Sequence, residues 1–132
     1  MPSKPKVKLE HEEQVAFVHA AKKLFRSNDC AFMRKLLFAI PNGGKRDART
    51  ASSLKMEGVR PGVPDLFFAY PRFINDDVTV HGLFIEMKRT VGGSVSPDQR
   101  DMIASLKKQG YAVEVAKGCD RAVEILKNYL GW

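Results

Sequence analysis

Gly58-Val59-Arg60-Pro61-Gly62-Val63-Pro64-Asp65-Leu66-Phe67-Phe68-Ala69-Tyr70, followed after a polar excursion by His81-Gly82-Leu83-Phe84-Ile85-Glu86-Met87-Lys88-Arg89, is the stretch that decides how this chain folds. Residues 66–70 and 83–88 are rich in strand-forming side chains, and residues 71–82, with Asn75-Asp76-Asp77, read as the turn between them. Side chains alternate along a strand, so Phe84, Glu86 and Lys88 share one face while Leu83, Ile85 and Met87 share the other. The first strand is apolar on both faces (Leu66, Phe67, Phe68, Ala69), as expected of a central, covered position. Asp65 at its head would then stand beside Glu86 and Lys88, placing two carboxylates and one ammonium in a half-buried notch. An exposed edge carrying a surface ion pair has the same local pattern and little energetic value. Close carboxylates repel each other unless a cation lies between them, so the spacing nominates a metal site.

Composition narrows the class. A chain of 132 residues is one ordinary domain, and 44% hydrophobic with 28% charged residues describes a soluble globular protein. No apolar run approaches the roughly twenty residues of a membrane helix. The opening Met1-Pro2-Ser3-Lys4-Pro5-Lys6 has no apolar core and is not a signal peptide. Cys30 and Cys119 give neither a zinc-finger spacing nor a disulfide framework, which points to reduced thiols and a cytoplasmic setting. The net charge of +7 suits a polyanionic partner. Carboxylates in a notch that receives phosphate would oppose such a partner, and a bound metal ion resolves the conflict.

Residues 1–8 form a Lys/Pro-rich basic tail, expected to be flexible, and residues 9–132 a single domain. Residues 9–27 have a helical pattern, with Phe17, Val18, Ala21 and Leu24 on the inner stripe. Glu10, Glu13 and Gln14 lie on or beside that stripe and Glu12 points away. First-turn acids also favour the helix dipole, so the stripe leaves their roles open. Residues 36–40 read as an extended segment entering the Pro41-Asn42-Gly43-Gly44 turn. Lys45, Arg46 and Arg49 follow and lead into a helix over 47–57; cations around such a turn suit phosphate, or a solvated helix. Pro61 and Pro64 stiffen the approach to Asp65.

Residues 91–95 are a Gly-rich loop beside the notch. Ser96-Pro97-Asp98-Gln99 is a full helix start, with Ser96 as N-cap, Pro97 at the first position and Gln99 closing a capping box. Capping alone accounts for Gln99. Met102, Ile103, Leu106 and Gln109 make the next stripe, Gly110 ends the helix, and residues 111–116 alternate as a strand. A closing helix over 120–130 turns Ala122, Val123, Leu126 and Leu130 inward. The order is α-β-α-β-β-α-β-α. His11, His19 and His81 are scattered and off the notch.

Pro64-Asp65 followed by Glu86-Met87-Lys88 matches the Pro-Asp…(Asp/Glu)-x-Lys signature of a very large nuclease superfamily. Three further words stand in order around it: Pro41-Asn42-Gly43-Gly44-Lys45-Arg46, Gly62-Val63-Pro64-Asp65-Leu66 and Ser96-Pro97-Asp98-Gln99. Together they resemble the virus-type replication-repair nuclease (VRR-NUC) family in its stand-alone phage or bacterial form, from about residue 10 to residue 130.

The resemblance implies an α/β, restriction-endonuclease-like core with a central mixed sheet flanked by helices. It implies metal-dependent phosphodiester hydrolysis, with Asp65, Glu86 and the backbone carbonyl of Met87 holding one or two Mg²⁺ ions, for which Mn²⁺ can substitute. Lys88 would orient or help deprotonate the attacking water. Glu13 is the first-helix glutamate nominated to support the metal, with Glu10 and Glu12 as alternatives, and Gln99 would lie beside the site. Lys45, Arg46, Arg49, Arg60 and Arg89 are the expected DNA contacts. The implied partner is branched DNA, cut by a Holliday-junction-resolvase-like homodimer in replication, repair or recombination. A flap or duplex nuclease of the same fold, or a catalytically inactive nucleic-acid-binding module, are the alternatives.

Overall fold

Leu83–Lys88 forms the long inner strand of a four-stranded sheet, and its two neighbours explain why the notch exists. The computed structural model describes residues 6–41 and 48–132. The first five residues of the basic tail, the Gly43-Gly44 turn, Lys45 and Arg46 lie outside the described residues.

In chain order the elements are α1 (Glu10–Ser27), a 3-10 turn (Ala31–Leu36), β1 (Leu37–Ala39), α2 (Ala48–Met56), β2 (Leu66–Phe68), β3 (Arg72–Asn75), β4 (Val78–Val80), β5 (Leu83–Lys88), α3 (Pro97–Lys108), β6 (Ala112–Lys117) and α4 (Cys119–Leu130). The main sheet runs β1-β2-β5-β6. β1 and β5 are both antiparallel to β2, and β6 is parallel to β5. A parallel neighbour needs a crossover, and α3 supplies it. The sheet is therefore mixed and flanked by helices, as the sequence implies.

One sheet face makes the core. Leu66, Phe68, Ile85 and Met87 are fully buried there against Phe17, Ala21 and Phe25 of α1 and Ala122 and Leu126 of α4. Each large side chain so buried contributes about 1.5–3 kcal/mol. Phe25 stacks on Phe68 with ring centroids 5.5 Å apart. The centre of the α1 stripe is thus Phe17-Ala21-Phe25, and Leu24 and Val18 pack at its margin.

Two segments differ from expectation. Residues 71–82 are not a plain turn: β3 and β4 pair as a separate two-stranded hairpin, closed by an Asx turn in which Asn75 Oδ1 accepts from Asp77 N at 2.9 Å. β3 is exposed throughout and β4 only partly buried, so no fully buried face imposed an alternating pattern that sequence could reveal. The α3 stripe is the other case. Met102, Ile103 and Leu106 are only half-buried and Gln109 is exposed. Among the described residues, no helix is long and apolar enough to cross a membrane.

Candidate metal centre

Antiparallel pairing sets the centre of the site. Leu66 pairs with Ile85, so Asp65, one residue earlier, stands opposite Glu86, one residue later. On the other side of β2, the β1–β2 ladder also reaches Asp65, because Ile40 N donates to Asp65 O at 2.7 Å. Asp65 Oδ2 accepts from Met87 N at 2.7 Å, which locks its carboxylate to β5. Pro64 is buried behind it. On the other side of the arm, Gly62 has φ +88, and a Cβ there would come within 2.4 Å of Asp98 O. The approach to Asp65 is wedged against the first turn of α3, and only glycine fits the contact.

Glu86 and Lys88 are both on the face opposite the core and yet nearly buried, at 2% and 7% exposure. Lys88 Nζ lies 3.7 Å from Glu86 Oε1. Gln99 holds the pair from above. Its Nε2 donates to Glu86 Oε1 at 3.0 Å and its Oε1 accepts from Lys88 Nζ at 3.0 Å. The same Oε1 accepts from Ser96 N while Ser96 Oγ accepts from Gln99 N, so the capping box is formed as well. Capping and the site are joined in one side chain. The surface-ion-pair alternative fails on burial.

α1 begins with three glutamates that have three destinations. Glu10 brings a carboxylate oxygen into a group with Asp65 and Glu86, all within 4.8 Å of one another. Glu12 turns to its own helix start, where its Oε1 accepts from Leu9 N at 3.3 Å. Glu13, the nominated metal ligand, is buried at 5% exposure, and its Oε2 accepts from Cys119 N at 2.8 Å. It therefore caps the N-terminus of α4, whose own N-cap residue Gly118 has no side chain to offer. Gly118 (φ +90) leaves no room for a Cβ, which would meet Glu13 Oε2 at 2.6 Å, and its N–H donates to Lys88 O at 2.9 Å. Glu10, one of the stated alternatives, joins the acidic group and Glu13 does not, for a simple reason. Residues three apart on a helix differ by about 60° in direction, and both fall within the width of an inner stripe.

The electrostatics are those of crowded acids. The Glu86 carboxyl is pushed up to about 8, first by burial, then by the charge of Asp65 and a hydrogen bond shared with it; Lys88 pulls the other way. Glu10 is also raised, by burial and then by Asp65. Three carboxylates facing one lysine are under-compensated. Their donor set is all oxygen, which fits a hard divalent cation such as Mg²⁺ or Mn²⁺ and relieves the repulsion.

Of the remaining expected residues, Arg49, Arg60 and Arg89 are among the described ones. Arg89 is exposed next to Lys88 in sequence, Arg60 is exposed on the arm leading to Asp65, and Arg49 is exposed on α2. None of the three histidines enters the acidic group.

Comparison with known proteins agrees with this fold. Residues 10–120 match the VRR-NUC domain family. A solved structure of a VRR_NUC domain protein is similar over 96% of this chain and 91% of that chain, with 27% identity and a TM-score of 0.73. No curated protein matches the chain.

Proposed function

This chain belongs to the VRR-NUC domain family, nucleases of the PD-(D/E)XK type, and on that premise we propose that it is a Mg²⁺-dependent DNA endonuclease acting on branched DNA as a homodimer. The observation that carries the reading is the convergence of Glu10, Asp65 and Glu86 within 4.8 Å, with Lys88 3.7 Å from Glu86.

Asp65, Glu86, Glu10 and the Met87 carbonyl are the groups that would hold the cation. Such a cation supplies polarisation of the scissile phosphate and acidification of water. Lys88 brings a fixed positive charge to the position where charge develops on the phosphate, and it can orient the attacking water. Gln99 keeps Lys88 and Glu86 in register, so the ammonium does not swing away when substrate enters. Arg49, Arg60 and Arg89, all exposed, are proposed as phosphate contacts. Lys45 and Arg46 are proposed to add to them. The net charge of +7 draws DNA in and makes binding salt-dependent.

Labelled four-way junction, flap and linear duplex, each with Mg²⁺, Mn²⁺ or EDTA, test the reading alongside Glu86→Ala. Symmetric metal-dependent nicking of the junction, lost in the variant, is the expected result. Cleavage of flap or duplex instead keeps the chemistry and replaces the substrate. Salt-sensitive binding with no cleavage under any metal rejects the enzyme in favour of a binding module.

A further inference from the structure

Phe38 of β1, Phe67 of β2 and Phe84 of β5 occupy one register row across the sheet, since Phe38 pairs with Phe67 and Phe67 with Phe84. Their ring centroids are 5.7 Å and 4.4 Å apart. Tyr111, two residues before Val113, the register partner of Phe84, packs its ring against the row, 5.3 Å from Phe84 and 6.0 Å from Phe67. These four rings are not part of the buried core, which lies on the opposite face with Leu66, Phe68, Leu83 and Ile85. Alternation along the strands puts Phe67 on the face of Asp65 and Phe84 on the face of Glu86. The aromatic row therefore runs alongside the carboxylate row, one pleat repeat away, or about 7 Å.

Cross-strand packing explains why Phe67 and Phe84 stack on each other. It does not explain the far end. Phe38 sits on the edge strand with 46% of its surface exposed, where an antiparallel sheet ordinarily turns polar residues to water.

We propose that this row is a stacking platform for unpaired bases of the DNA strand whose phosphate lies at Asp65 and Glu86, with Phe38 as its solvent-facing end. The choice of occupant rests on the nuclease reading above, because it is the carboxylate row that brings a phosphate to this face. A strand held there must place its neighbouring bases within a nucleotide or so of the notch, and the aromatic row is what they meet. Aromatic rings accept any base without reading its edge, so the platform confers preference for unpaired structure and not for sequence. Bases already stacked in a duplex cannot use it.

Phe38→Ala tests this, since the exposed ring leaves without opening the core. Affinity is measured by fluorescence anisotropy with Ca²⁺ in place of Mg²⁺, so that a hard cation offsets the carboxylates without the catalytic metal, for three labelled ligands of equal charge: a single strand, the same strand with abasic sites, and a half-length duplex. The wild type is expected to bind the base-bearing strand about ten-fold or more tighter than the abasic one. Phe38→Ala removes most of that difference and leaves abasic and duplex binding unchanged. Equal binding of base-bearing and abasic strands by the wild type, or equal loss on all three ligands in the variant, overturns the platform. Mg²⁺-dependent cleavage by the wild type is assayed in parallel. Its absence rejects the nuclease reading, while the comparison of base-bearing with abasic strands decides the platform by itself.

Discussion

Gln99 Nε2 donates a 3.0 Å hydrogen bond to Glu86 Oε1, joining the first turn of α3 to the C-terminal half of β5. Because Gln99 Oε1 also takes the Lys88 ammonium and the Ser96 N–H, one amide serves helix capping and site geometry together. The two duties separate by mutation. Ser96→Ala removes the cap and is expected to cost about 1 kcal/mol of stability with cleavage close to wild type. Gln99→Ala is expected to lower cleavage roughly 10- to 100-fold as well, because Lys88 and Glu86 lose their common partner. Thermal unfolding and single-turnover cleavage on both variants check the difference.

The two buried-side glutamates of α1 should separate in the same way. Glu10→Gln is expected to weaken divalent-metal binding about ten-fold or more without lowering stability in EDTA, since it relieves repulsion from Asp65. Glu13→Ala strands the Cys119 N–H at the start of α4 and is expected to cost about 1–3 kcal/mol. Metal titration and urea unfolding of the pair decide it; the reverse pattern would return Glu13 to the metal.

The raised Glu86 carboxyl predicts a pH dependence opposite to that of an ordinary salt-bridged acid. Its folded value of about 8 stands above the ordinary 4.5, so between those limits the folded state holds one more proton than the unfolded chain. Unfolding free energy in EDTA therefore falls as pH rises through that window. Glu86→Gln should flatten this part of the profile. Excess Mg²⁺ should do the same at the alkaline end, and Mg²⁺ affinity should rise toward pH 8 because binding displaces the proton. Urea midpoints at several pH values, with and without metal, give all three.

Gly62→Ala carries a double penalty. The position has φ +88, and the added methyl would lie 2.4 Å from Asp98 O in a backbone that cannot give way. A loss of about 2 kcal/mol or more is expected, with cleavage impaired because the arm holding Asp65 must move off α3. Cleavage equal to wild type at unchanged stability would show that the arm does not position Asp65.

How much of this was legible in advance follows from where each signal resides. The strand over residues 83–88 and the helix start at Ser96 agree with the structure residue for residue. Alternation and capping are local, and few residues suffice to specify them. The hairpin of β3 and β4 left no such trace, since Arg72, Phe73, Ile74 and Asn75 are all exposed and have no buried face to encode.

For the candidate site, the residue types were legible in the chain: a Pro-Asp arm and a Glu-x-Lys strand, oxygen donors beside one ammonium, with a first-helix glutamate nominated through the family resemblance. Which glutamate was decided only in three dimensions. Packing of Phe17, Ala21 and Phe25 sets the rotation of α1 about its own axis, and that rotation sends Glu10 to Asp65 and Glu13 to Cys119. The aromatic row is of the same kind. Phe38, Phe67 and Phe84 are scattered along the chain, and only strand order and register bring them into line, with Tyr111 packed against them. Periodicity is carried by neighbours a few residues apart, whereas helix rotation and strand register are settled by contacts between segments distant in sequence.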